Sequence, residues 1–135
     1  MLKAEQGSEI VVRVKNSVGA LADLAKRIGD KGVSILAVNG YVEGSEGVLR
    51  FVTDDNLRTI DALGKGGVKA EEKRIVLVHL PHKPGMLKHI TEQLKNARID
   101  IRHLYASAEE NDSHCLVVMD TADNERAMVE MDKLK

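Results

Sequence analysis

The strongest constraint on this chain is an internal repeat. The first copy begins at Asn16-Ser17-Val18-Gly19-Ala20-Leu21, continues through a helical run, and reaches Gly32 and Val33-Ser34-Ile35-Leu36-Ala37-Val38. The second begins at His82-Lys83-Pro84-Gly85-Met86-Leu87 and runs to Ile99-Asp100-Ile101-Arg102-His103-Leu104. A shift of 66 residues carries Gly19 onto Gly85, and with it Leu21 onto Leu87, Leu24 onto Ile90, Ile28 onto Leu94, Val33 onto Ile99 and Ile35 onto Ile101. A period this long exceeds any solenoid repeat and suits a small domain present twice.

Each copy has the same order of patterns. In the first, Ile10, Val12 and Val14 alternate with Val11, Arg13 and Lys15, the period of a half-buried strand. A turn at Asn16–Gly19 follows. Leu21, Leu24, Ala25 and Ile28 then recur as one stripe of an amphipathic helix, with Gly32 placed to end it. Val33, Ile35 and Ala37 begin a second strand, Glu43–Gly47 is a hairpin turn, and Val48–Thr53 is a third strand. Asp54 or Asp55 can cap a second helix with Leu57, Ile60 and Leu63 on one face. Gly64-Lys65-Gly66-Gly67 stops it, and 68–73 is a weak, charged strand.

The second copy opens on the strand Arg74–Leu80. A helix over 85–97 follows, with Leu87, Ile90 and Leu94 on a face. Then come a strand over 99–107, a turn over 109–112 and a strand over 114–119. A last helix, capped by Thr121 or Asp123, carries Met128, Met131 and Leu134. No strand follows it. The fold class expected is α+β, two ferredoxin-like (ACT-like) βαββαβ units with antiparallel sheets, the second lacking its last strand. The division expected is 1–72 and 73–135. Residues 1–8 read as a tail, and either that tail or a partner chain is available to cover the open edge.

Composition narrows the functional classes. A content of 43% hydrophobic and 30% charged residues is that of a soluble globular chain able to build a core. A net charge of −1 gives no basic excess for nucleic acid or an anionic membrane, and 2% aromatic residues leaves almost no base-stacking surface. No apolar run is long enough to span a bilayer, the start lacks a signal-peptide apolar region, and Cys115 alone cannot form an internal disulfide. A cytoplasmic protein with no nucleic-acid or membrane partner is the expectation.

The turn at His82-Lys83-Pro84-Gly85-Met86-Leu87, with Ile90 and Ile99-Asp100-Ile101, resembles the ACT domain family of amino-acid-sensing regulatory modules. The first copy matches through Asn16, Gly19, Leu21 and Val33-Ser34-Ile35. The resemblance covers residues 9–72 and 73–135. It implies a small amino acid bound at an interface between units, between the first turn of one and the second strand of another. The residues it points to are Asn16, Gly19, Ala20, Leu21, Ile35 and Leu36 from the first copy and His82, Gly85, Met86, Leu87, Ile101 and Arg102 from the second. It also implies a homodimer joined through second strands, with Ile35, Leu36, Ala37, Ile101, Arg102 and His103 as candidate contacts, and a biosynthetic enzyme as a possible partner. The first turn departs from the family pattern in having Val18 for proline, and the second in having His82 for Asn or Asp.

Physical chemistry is consistent with such a site. A helix start presents unpaired N–H groups and positive potential, which suits a carboxylate, and glycine lets a ligand approach the backbone. Asn16 has two readings, an Asx turn or a ligand contact. The histidines His79, His82, His89, His103 and His114 show no metal-ligand spacing, so no metal and no cofactor is expected. Gly64–Gly67 follows a helix and lacks the phosphate-loop order, Cys115 reads as a small buried hydrophobe, and no nucleophile–base pair can be assembled. The leading expectation is a non-catalytic regulatory protein that binds a small amino acid and modulates an enzyme or its own assembly. The alternative is a ligand-independent assembly module, and a small enzyme on this sheet is a third reading.

Overall fold

A computed structural model describes residues 2–108, 110 and 113–135. Its elements are β1 (Lys3–Lys15), α1 (Ala20–Gly29), β2 (Ile35–Glu43), β3 (Glu46–Thr53), α2 (Asn56–Lys65), β4 (Ala70–Pro81), α3 (Met86–Asn96), β5 (Ile101–Ala108), β6 (His114–Thr121) and α4 (Asn124–Asp132). The turn expected over 109–112 falls, apart from Glu110, outside the described residues.

The chain forms two compact units, Ser8–Lys73 and Met1–Gly7 with Arg74–Lys135. This differs from a contiguous cut at 72/73, because the boundary falls inside two long strands. β1 crosses it between Gly7 and Ser8, and β4 between Lys73 and Arg74. In the Ser8–Lys73 unit the strand order is β2-β3-β1, with the start of β4 beside β1. In the other unit the order is the start of β1, then β4-β6-β5. The pairings β1–β3, β2–β3, β4–β6 and β5–β6 are antiparallel, and β2–β3 and β5–β6 each carry one register irregularity near their start.

The expected tail is therefore a strand, and it takes the fourth place in the second unit. Leu2 and Ala4 are buried with Val76, Val78 and Leu80 of β4 and Ile90 and Leu94 of α3, while Lys3 and Gln6 are exposed. Glu5 Oε1 lies 3.3 Å from His79 Nε2 on the neighbouring strand. The sequence hides this strand because Gln6-Gly7-Ser8 has the composition of a turn. Gly7 is instead a strand residue, where an added Cβ would come 2.9 Å from Leu77 Cδ1.

Each unit closes its core with two helices. Ile10, Val12, Leu49 and Phe51 of the sheet meet Leu24 and Ile28 of α1 and Leu63 of α2. Val117 and Met119 meet Ile90, Leu94, Ala127 and Met131 in the second. Leu57 does not join the buried face of α2 as expected; it is 81% exposed, and Thr59, Ala62 and Leu63 face inward. The helix cap sets that phase. Asp55 accepts from the Arg58 N–H at 3.1 Å, and Thr59 is buried with its hydroxyl donating to the Asp55 carbonyl at 2.9 Å.

The same cap occurs in both units, built from Thr53-Asp54-Asp55-Asn56-Leu57-Arg58 and Thr121-Ala122-Asp123-Asn124-Glu125-Arg126. The Thr hydroxyl donates to the Asn side-chain carbonyl, at 2.7 Å to Asn56 and 2.8 Å to Asn124. Asp123 accepts from the Arg126 N–H at 3.1 Å. The Asn amide donates back to the central strand at the residue where that strand enters the unit, the Ser8 carbonyl of β1 at 3.1 Å or the Arg74 carbonyl of β4 at 3.2 Å. The Arg guanidinium reaches across to the end of the other helix, donating to the Lys31 carbonyl at 3.2 Å or the Ala97 carbonyl at 2.8 Å. One six-residue segment thus ties a strand and two helices.

Two outcomes follow from this packing. Leu2→Ala should lower unfolding free energy by about 2 kcal/mol, the cost of truncating a buried leucine, whereas Lys3→Ala should change it by less than about 0.5 kcal/mol. Asp123→Ala, which removes a helix cap, should cost about 1 kcal/mol. Urea titration followed by circular dichroism measures all three.

Candidate functional site

The turn after the first long strand of each unit has the same backbone arrangement. Gly19 has φ 87° and Gly85 has φ 86°, in the left-handed region where a side chain is strained. Asn16 N–H donates to the Ser45 carbonyl at 3.0 Å, and His82 N–H to the Ser113 carbonyl at 2.7 Å, so each turn is fastened to the hairpin beside it. Both glycines are helix N-caps and supply no side chain. α1 and α3 therefore start without a side-chain cap, whereas Asp55 and Asp123 cap α2 and α4. Ala20 N–H reaches Ser17 and Asp23 N–H reaches Gly19, while Leu21 and Ala22 stand in the first turn, whose N–H groups no helical carbonyl precedes.

Beside the first turn is a cavity of about 600 Å³. One wall is the turn and helix start, with Asn16, Ser17, Gly19, Ala20, Leu21 and Ala22. The other is strand, with Val14 of β1, Gly40, Tyr41 and Val42 of β2, and Gly47 and Leu49 of β3. No charged side chain lines it, and its walls are mainly apolar. A second recess of about 510 Å³ is bounded by Lys15, Asn16, Ser45 and Glu46, so Asn16 borders both. Among the described residues the Asn16 side-chain amide makes no hydrogen bond.

The structure thus gathers Asn16, Gly19, Ala20 and Leu21 in one place. Leu21, expected in the core stripe, is half exposed and lines the cavity. Ile35 and Leu36 are not there. α1 carries the chain away from the turn and β2 runs back, so the start of β2 lies by the far end of the helix and its later half returns to the turn. Ile35 packs against the core and Leu36 is exposed. In the second unit His82, Gly85 and Leu87 are exposed at the turn, and Met86 packs against the core. Ile101 packs on that core at the start of β5, and Arg102 is exposed. The strand residues Gly40, Val42 and Gly47 escape sequence reasoning because register decides which strand residues meet a turn. Gly40 pairs with Leu49, and a Cβ there would lie 2.8 Å from Leu49 Cδ2, so its glycine is a packing requirement.

Behind the cavity wall is a polar cluster. Arg50 and Glu9 form an ion pair at 2.6 Å with side chains 11% and 1% exposed. Burial works against the Arg50 charge, but hydrogen bonds with Tyr41 and Glu9 outweigh it and hold the guanidinium above its ordinary pKa. The Tyr41 side chain is thereby directed to Arg50, on the strand face opposite Leu49. Cys115 is half-buried and not fully enclosed as expected, and its burial raises its pKa, which makes it a poor nucleophile. Among the described residues no group of three or more His, Cys, Asp or Glu could hold a metal ion, and no helix is long and apolar enough to cross a membrane.

No protein-family model matches the chain, and no curated protein matches it. Solved structures do. Protein BT0572 from Bacteroides thetaiotaomicron superposes with a TM-score of 0.89 at 17% identity, covering 96% of this chain and 89% of that one. The regulatory subunit of aspartate kinase from Thermus thermophilus gives 0.71 at 13% identity, covering 98% and 95%. The corresponding subunit from Thermus flavus gives 0.65 at 14% identity, covering 98% and 94%. At such identities the likeness is one of backbone, and the chain accordingly has a tandem ACT-like fold of the α+β class.

Proposed function

We propose that this chain is a non-catalytic regulatory protein that binds an amino acid at the first turn and thereby modulates a metabolic enzyme or its own assembly. The observation that carries this reading is the meeting of an uncapped helix start with an uncharged cavity and the unengaged Asn16 amide. A free amino acid has the matching chemistry. Its carboxylate suits the helix N–H groups, its side chain suits the apolar walls, and its ammonium can reach toward Asn16 and the recess bordered by Glu46. In an amino-acid complex the ligand acts only through unequal affinity for two states, here states of packing or assembly.

The similar folds of two aspartate kinase regulatory subunits support a partner enzyme of amino-acid metabolism, with this chain as its separate regulatory component. A homodimer fits the edge strand β2, whose Leu36, Val38 and Val42 are exposed. Those same side chains favour the second reading, an assembly module that binds no small molecule.

A thermal-shift screen against the twenty amino acids at millimolar concentration separates the two. Ligand present at a hundred times its Kd stabilises the native state by about 2.7 kcal/mol, a rise of several degrees in Tm. The reading expects such a rise with one or a few amino acids and its loss in Asn16→Ala. No rise with any of them would overturn it in favour of the assembly module, whose self-association would be independent of amino acids in sedimentation velocity.

A further inference from the structure

The two units can be aligned residue by residue, because their hydrogen bonds and strand registers coincide. Ala20 N–H to Ser17 answers to Met86 N–H to Lys83, and Asp23 N–H to Gly19 answers to His89 N–H to Gly85. Val14 pairs with Gly47 as Leu80 pairs with Cys115. Gly40 pairs with Leu49 as Ala106 pairs with Val117. Each residue around the first cavity therefore has a counterpart in the second unit.

The counterparts are not alike. Where the first unit has Ala20, Gly47, Val14 and Gly40, the second has Met86, Cys115, Leu80 and Ala106, each larger. Leu80 is a buried core residue, and Met86 and Cys115 pack against the same core. The exchanges in the other direction on this face, Val42 to Ala108 and Leu49 to Val117, remove less than those four add. Tyr41 borders the cavity but pairs with Val48, which puts its side chain on the strand face of Arg50 and not on that of Gly40 and Leu49, so its exchange for Ser107 lies outside this balance. The polar group at the turn changes as well, from Asn16 to His82.

We infer that the two repeats have diverged into one binding unit and one closed unit: the space that is a cavity at the first turn is filled at the second by Met86, Cys115 and Leu80. The chain then takes one ligand, at the first turn. Resting on the amino-acid reading above, that ligand carries an uncharged apolar side chain, because no charged residue lines the cavity to meet a lysine or an aspartate. The closed turn keeps its glycine and its uncapped helix for folding alone.

The test is amide chemical-shift mapping on the full chain, first with isobutanol, a probe of apolar space that needs no amino-acid recognition. Isobutanol should shift amides over 16–22 and 40–49 and leave those over 82–88 and 106–117 in place. Filling the first cavity with Ala20→Met and Gly47→Cys should weaken the response at least tenfold. An added Cβ at Gly47 meets Val14 Cγ2 only at 3.7 Å, so this variant has room to fold. Opening the second site with Met86→Ala and Cys115→Gly should create a response over 82–88. Isobutanol shifts at both turns of the native chain, or at neither, would overturn the inference whatever the variants do. The same mapping with leucine, valine, methionine and phenylalanine, against lysine and aspartate, tests the ligand. Shifts at the first turn from the apolar set alone are expected, and equal shifts from lysine or aspartate would overturn the assigned class. If isobutanol enters the first cavity and no amino acid does, the amino-acid reading fails while the asymmetry of the repeats stands.

Discussion

Everything in the second unit depends on a strand that it does not encode in its own stretch. Three strands and two helices from Arg74 onward leave one edge of β4 without a neighbour, and an unpaired edge leaves backbone N–H and C=O groups and apolar surface uncovered. The start of β1 closes that edge, and Leu2 and Ala4 enter the core with it. In the first unit the start of β4, within the same continuous stretch Ser8–Lys73, takes the corresponding place. Only the second unit is finished by residues from elsewhere in the sequence.

Within each unit, geometry is held by local chemistry repeated with little change. The Thr-x-Asp-Asn-x-Arg segment caps one helix, reaches the end of the other and bonds the central strand. At the opposite end the left-handed glycine starts a helix without a cap. The two ends contrast in an informative way. One satisfies its N–H groups with its own side chains, and the other leaves them available. On the proposed reading, the open end is where a ligand carboxylate would bond, on a scaffold already fixed at the other end.

Much of this was legible in sequence because it depends on short spacings. The two glycine turns, the stripes Leu24-Ile28 and Ile90-Leu94, and the helix starts at Asp54 or Asp55 and at Thr121 or Asp123, where the structure selects Asp55 and Asp123, are all set within a few residues. The failures are of two kinds. Where composition and packing disagree, packing wins: residues 1–8 read as a tail, yet Lys3–Ser8 is strand, because Leu2 and Ala4 gain burial and Gly7 makes room for Leu77. Where a residue's role is set by strand register, no single stretch reveals it. Gly40 and Gly47 become cavity wall only through pairing with Leu49 and Val14. The repeated cap segment also escapes a search at the 66-residue shift, because it recurs at 68, after the second hairpin has lengthened by two.

The functional account joins these threads. Two copies of one fold carry a turn with the same left-handed glycine, with small residues around the first and larger ones around the second. On the proposed reading, one copy serves recognition and the other structure. The most direct test is the stoichiometry of binding, by isothermal titration calorimetry of the full chain with the amino acid that stabilises it most. The account predicts one molecule bound per chain. Two molecules per chain would mean that both turns bind, and would contradict it.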